Sequence, residues 1–354
     1  MIIFILFLVF LAIRNSVSDI CLDNSWYELC NTSRDIILSP GISSFLTCCC
    51  LSNETKSALF YYPSIEPNGN PKVERYHYDQ QWLFKTIAEH YNFSSTGLAI
   101  ACWGDSCNIS KESRKLLSER KVAVLLHTFE KTEEDSLSSL YPNNKNFIFI
   151  PDHLFIRSNG YKELIDSLNN FPNNKSIAER EPKVFWRGGS TGRIFSKLDN
   201  DRYKMCMTAK NYTWVDVGIT QAYSQYSQQV YLDEGIFKRF ANEYEWIKYR
   251  GIIDIDGSVN AWGLNWRLAS GSVVFKFESN WTNALIEKMI PWKHYISLKE
   301  DYSDFKALTS LVNNENFVPI FEKISKNAYD LVKEFSMENQ LEIIVASLNE
   351  LWRK

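Results

Sequence analysis

The sequence predicts an α/β protein made of two Rossmann-like domains, each a parallel sheet covered by helices. Three observations carry this. The chain has 354 residues, more than one ordinary hydrophobic core organises. Short apolar runs alternate with helically spaced stretches, and that alternation implies parallel strands joined by helical crossovers. A polar stretch over residues 169–175 separates two such series and sets a hinge near residues 170–182.

The elements follow in order. Residues 2–13 are almost wholly apolar and Arg14 closes the run. That is too short to span a bilayer and fits the apolar region of a secretory signal over residues 1–18, with Ser16 and Ser18 as the small residues before cleavage at Asp19. The start lacks the usual Lys or Arg, which leaves an uncleaved short anchor open; no stable membrane span is expected. Residues 19–75 read as a loop-rich, cysteine-rich lead-in. The first domain, residues 76–175, has helical spacing over 82–91, a strand over 97–102, a helix over 111–120 capped by Ser110, a strand over 122–126 and a strong strand over 147–150. Pro151 and Asp152 stop that strand, and residues 161–168 return to helical spacing. The second domain, residues 176–330, has strands over 184–186, 247–255 and 272–277. From residue 317 onward two helices are expected, broken near Ser336, the terminal one over 331–354.

Net charge is −3 and no long run of Lys or Arg occurs, which excludes bulk nucleic-acid binding. Aromatics make up 14% of the chain; they stack on sugars and they fill cores, so composition does not choose. Seven Asn-X-Ser/Thr sequons occur, at Asn31, Asn53, Asn92, Asn108, Asn174, Asn211 and Asn280. Seven of the eight cysteines lie from Cys21 to Cys107, and Cys206 stands alone. Together they point to an oxidising secretory lumen, endoplasmic reticulum or Golgi, or to secretion, with disulfides tying the N-terminal region. Zinc fits poorly, because no histidine is near and Cys48, Cys49 and Cys50 cannot all face one ion. The chain ends Leu-Trp-Arg-Lys354 rather than on a Lys-Asp-Glu-Leu retrieval signal.

Chemistry concentrates in three segments. Lys183-Val-Phe-Trp-Arg-Gly-Gly-Ser-Thr-Gly192 is a strand that ends in an arginine, glycines and hydroxyls. Glycines admit close approach, hydroxyls and bare N–H groups bond phosphate oxygens, and arginine adds a cationic fork. The alternative is a buried strand and a glycine turn. The second segment runs from Glu245 through Asp254-Ile-Asp-Gly257 and Trp266-Arg-Leu-Ala-Ser-Gly-Ser-Val-Val-Phe-Lys276, and the third is Pro291-Trp-Lys-His-Tyr295 with the residues to Asp304. In this order and at these separations, over roughly residues 145–310, they resemble the Rumi-like protein O-glucosyltransferases and capsule-associated xylosyltransferases of glycosyltransferase family 90.

The resemblance implies a two-Rossmann-domain transferase (the GT-B architecture), with an acceptor domain first, a donor domain second, and a terminal helix that folds back onto the first. It implies a UDP-sugar as donor, UDP-glucose or UDP-xylose, and a protein serine or a glycan as acceptor, with inversion at the anomeric carbon. Such a reaction needs a base near the acceptor hydroxyl and positive charge near the leaving diphosphate. Asp152 is the candidate base, just past the carboxyl end of a strand where open α/β sheets place ligands; its alternative is a turn or helix-cap aspartate. Donor-binding candidates are Trp186, Arg187, Gly188, Gly189, Ser190, Thr191, Asp256, Arg267, Ser270, Ser272 and His294. For Arg187 and Arg267 the alternative is a structural salt bridge, and for His294 a packed structural histidine. Asp254 and Asp256 could form a metal-binding Asp-X-Asp pair; Asp256-Gly257 reads better as a turn that orders the donor loop, and no metal or other cofactor is expected. A catalytically inactive binding relative is the other open reading.

Overall fold

The structure, a computed structural model, describes residues 46–52, 57–61, 75–91, 97–102, 115, 117–119, 121–130, 145–171, 175–192, 200–223 and 228–353. The expected signal, most of the lead-in and the sequons at Asn31, Asn53, Asn92, Asn108 and Asn174 lie outside these residues. The chain forms two compact units, Met1–Ile156 with Glu338–Lys354, and Arg157–Met337. Both are α/β, as the alternating pattern predicts.

The first unit holds a sheet of order β2-β1-β3-β4-β5, built from β1 (Leu46–Ser52), β2 (Ser57–Tyr61), β3 (Gly97–Cys102), β4 (Ala123–Leu126) and β5 (Phe147–Phe149). β3, β4 and β5 run parallel, but β1 is antiparallel to β2 and β3. The lead-in is therefore not all loop, and this sheet is mixed rather than parallel. The run Leu46-Thr-Cys-Cys-Cys-Leu-Ser lacks an alternating pattern, and small apolar cysteines serve there as strand residues, with Cys49 and Leu51 buried. Helix α1 (Arg75–His90) buries Leu83, Phe84, Ile87 and Ala88, one stripe of an amphipathic helix. The terminal helix, Met337–Trp352, belongs to this unit, as the resemblance implies, and Trp352 Nε1 donates to the Lys121 carbonyl at 3.0 Å.

The second unit is built on an all-parallel sheet of order β10-β9-β8-β6-β7: β6 (Glu181–Gly189), β7 (Val215–Gln221), β8 (Tyr249–Asp254), β9 (Val273–Phe277) and β10 (Ile296–Leu298). The centres of β6 and β7 and nearly all of β8 and β9 are buried, because both faces of the sheet are covered. Leu264, Leu268, Val274, Ala328 and Leu331 join one cluster of that core. The division at Ile156 and Arg157 falls before the hinge expected near residues 170–182, because the helix Lys162–Asn169 packs into the second unit. Ile165 lies on the same cluster, and Tyr244 Oη donates to Ser167 Oγ at 3.1 Å. The second division, at Met337 and Glu338, falls at the break between the last two helices, not at residue 330.

Candidate functional site

In the second unit β7 lies on one side of β6, while β8, β9 and β10 continue on the other. The chain thus reverses direction across the sheet between β6 and β8, and beyond the carboxyl ends of those strands an open α/β sheet leaves its ligand crevice. Arg202 bridges that point. It stands in the first turn of the helix Asp201–Ala209, whose N-cap Asn200 accepts from Tyr203 N. Its Nη1 donates to the carbonyl of Gly189, the last residue of β6, at 3.0 Å and to Thr191 Oγ1, just past it, at 2.7 Å. Its Nε donates to the Asp256 carbonyl at 2.9 Å and its Nη2 to that of Ile255 at 3.2 Å, both after β8. Gly257 permits this closure, since a Cβ there would meet Thr191 Oγ1 at 2.7 Å and Arg202 Nη2 at 3.1 Å. Burial first, and then the charge of Arg267, pull the Arg202 guanidinium down to about 10. It stays cationic at neutral pH: its hydrogen bonds go to neutral carbonyls and a hydroxyl, while the charges of Asp256 and Asp254 offset part of the pull from Arg267. Such a group gains from an incoming anion.

A charged layer lies beside it. Asp254, fully buried at the end of β8, accepts from Arg267 Nη1 at 2.6 Å and pairs with Lys276 Nζ at 3.2 Å. Lys276 also stands 3.5 Å from Asp256 Oδ1, and Ser279 Oγ donates to Asp256 Oδ2. Burial alone would lower the pKa of Lys276; the charges of Asp256 and Asp254 outweigh it and hold the pKa above the ordinary value. Arg267 packs against the rings of Trp246 and Trp266 at 5.3 and 5.4 Å. The Asp-X-Asp carboxylates are thus engaged by Arg267, Lys276 and Ser279, and Asp256 does order the loop after β8 through its carbonyl and side chain.

Several expected residues take other roles. Arg187 forms the structural salt bridge that was its alternative. Its Nη2 donates to Asp216 Oδ1 at 2.6 Å, its Nη1 to the carbonyls of Trp186 and Asp216, and it lies over the Phe185 ring at 4.4 Å. Trp186 is core, under the Arg202 guanidinium at 5.6 Å and against Gly188. Ser190 ties β6 to β7, its hydroxyl bonding the main chain of Tyr223. Ser270 and Ser272 are corrections. They precede β9 and so lie at the opposite end of the sheet; Ser270 Oγ donates to the Arg267 carbonyl at 2.6 Å, and Ser272 Oγ donates to the Tyr249 carbonyl at 2.7 Å and accepts from Arg180 Nη1. His294 is another: it precedes β10, is 5% exposed, and its Nδ1 accepts from Ile290 N at 3.0 Å. Of the expected donor set, Gly189, Thr191, Asp256 and Arg267 come together around Arg202. Arg202 and Lys276 were missed. Lys276 closes the second motif segment, one residue before the end of β9, a legible signal; Arg202 lies outside every motif.

In the first unit, Asp152 follows β5 and caps the short helix His153–Arg157, its Oδ1 accepting from Leu154 N at 2.9 Å and Phe155 N at 3.0 Å. The cap reading therefore holds. Burial nevertheless pushes its carboxyl up to about 6, against the lowering pull of those N–H groups.

A family model described as Glycosyl transferase family 90 matches residues 146–348, more than half the chain. The chain is 29% identical over 124 residues to Protein O-glucosyltransferase 2 of Danio rerio, covering 34% of this chain and 23% of that protein. It is 25% identical over 161 residues to Protein O-glucosyltransferase 3 of Rattus norvegicus, covering 45% and 30%. The chain thus spans under a third of the length of these relatives. Among solved structures, TarM aligns with a TM-score of 0.42 at 12% identity, over 68% of this chain and 47% of that one.

Proposed function

The chain belongs to glycosyl transferase family 90, and from that premise we propose an inverting transferase that moves glucose or xylose from a UDP-sugar to the hydroxyl of a protein serine or a glycan. The acceptor oxygen bonds to the anomeric carbon as the bond to the diphosphate oxygen breaks. UDP leaves with that bonding pair, and a base takes the acceptor proton. The observation that carries this is Arg202 at the point where the sheet reverses, with Thr191 and Arg267 beside it, a cationic seat for a leaving diphosphate. Asp152, with its carboxyl near 6, is ionised at neutral pH yet basic enough to accept a proton. Glucose stands first because the two relatives are named protein O-glucosyltransferases. Asp254 and Asp256 are already balanced by Arg267 and Lys276, which favours a reaction in which arginine, not a metal ion, neutralises the diphosphate.

The setting is the lumen of the secretory pathway or the exterior. Asn211 and Asn280 are exposed sequon asparagines, and among the described residues no helix is long and apolar enough to cross a membrane. One observation favours a second reading, a binding relative without catalysis: Asp152 Oδ1 is taken by a helix cap. A UDP-release assay across UDP-sugars, with and without EDTA, decides. Release from UDP-glucose or UDP-xylose that survives EDTA is expected. Activity lost to EDTA and restored by Mn²⁺ returns Asp254 and Asp256 as ligands. UDP binding with no release from any donor supports the binding relative.

A further inference from the structure

Just past the carboxyl end of β7, Tyr223 is 48% exposed. Singly exposed aromatics are ordinary, but this one is fixed on every side that touches protein. Ser190 Oγ accepts from its N–H at 2.8 Å and donates to its carbonyl at 3.1 Å, and its phenol donates to Gln221 Oε1 at 2.6 Å. The ring rests on Gly189, where a Cβ would meet it at 2.5 Å, so no larger residue leaves it that seat. A ring backed by main chain and held in one orientation is a preorganised stacking surface.

Its neighbours indicate what stacks there. Gly189 also gives its carbonyl to Arg202 Nη1 at 3.0 Å, so the ring and the candidate diphosphate cation meet through one residue. Arg202 in turn reaches across to the β8 side, where its Nε donates to the Asp256 carbonyl at 2.9 Å. A nucleoside diphosphate has the same order: flat base, then diphosphate. We propose that Tyr223 is the stacking platform for the nucleobase of the donor, with Gly189 as its seat. This rests on the donor reading above. Stacking tolerates any base, so the platform selects for a nucleobase and leaves the choice of uracil to other groups.

Calorimetric titration of the full chain with UDP, UDP-glucose and inorganic pyrophosphate tests it. Tyr223→Ala should weaken UDP and UDP-glucose by the same factor, about 5- to 150-fold, the range for loss of one base–aromatic stack, and leave pyrophosphate unchanged. Tyr223→Phe keeps the ring and should bind UDP nearly as the wild type does. Gly189→Ala should reproduce the loss by displacing the ring, and adding it to Tyr223→Ala should lose little more. Equal UDP affinity in Tyr223→Ala and wild type overturns the proposal. So does a loss confined to UDP-glucose, which moves the ring to the sugar, or a parallel loss of pyrophosphate, which marks a strand-end collapse. Wild-type protein that binds pyrophosphate but gains nothing from the nucleoside also refutes the platform while sparing the anion seat; wild type that binds none of the three refutes the donor reading itself.

Discussion

Replacing Asp152 by Asn separates its two roles. Asn caps a helix about as well as Asp, so the bonds from Leu154 N and Phe155 N survive, while the proton acceptor is lost. Turnover should fall by about 10²-fold or more, with UDP affinity unchanged. Stability should move the other way. The carboxyl rises from 3.8 to about 6 on folding, and at about 1.4 kcal/mol per pKa unit the folded state disfavours its ionised form by at most about 3 kcal/mol at pH 7. Because the folded pKa is raised, the carboxyl's favourable contribution is complete below its unfolded value and disappears as pH climbs through about 6. Urea unfolding of wild type and Asp152→Asn should therefore agree near pH 3.5 and diverge by pH 7, the variant being the more stable. The wild-type rate profile should rise on an acid limb near pH 6 that the variant lacks. Wild-type turnover in the variant refutes the assignment of Asp152 as the base. A stability difference that does not change with pH refutes the desolvated carboxylate.

Arg202→Ala should weaken UDP and pyrophosphate alike by about 10-fold or more, the loss of a hydrogen bond to a charged group, whereas Arg187→Ala should leave UDP binding unchanged and destabilise the second unit by about 1–3 kcal/mol by leaving Asp216 unpaired. Calorimetry and denaturant unfolding of both variants read this; a 10-fold loss of UDP affinity in Arg187→Ala would return that arginine to the site. In a secretory host, Asn211 should carry an N-glycan and Asn280 should stay bare. Asn211 and Thr213 are exposed ahead of β7, at the end of the sheet away from Arg202, while Asn280 adjoins Ser279 on Asp256 and its Thr282 is buried. Site-resolved mass spectrometry after glycosidase treatment checks it, and a glycan at Asn280 in active protein contradicts the placement of the site.

The three motif segments were legible because they are local: a strand, its stop and a glycine-rich turn are adjacent in sequence. Ser270 and Ser272 were misplaced although the signal was present. They precede the strand Val273–Phe277, and residues ahead of a parallel strand lie at the end of the sheet away from the ligand. The antiparallel pair Leu46–Ser52 and Ser57–Tyr61 was hidden by the cysteines of its first strand, which invite a reading as disulfides before one as strand.

By itself the sequence determined the α/β class of both units, the runs that become β3, β4, β5, β6, β8 and β9, the broken terminal helix and the family motifs, whereas β7 and β10 carried no signal that was read. Those properties depend on residues a few positions apart. Only the tertiary structure decided which charges meet. Arg187 turned to Asp216 and Arg267 to Asp254, and Arg202 closed the loops after β6 and β8 across separations of up to 54 positions in sequence. A buried cation takes whatever acceptors the fold brings within hydrogen-bond reach, and here strand order, not motif spacing, fixed which ones those were.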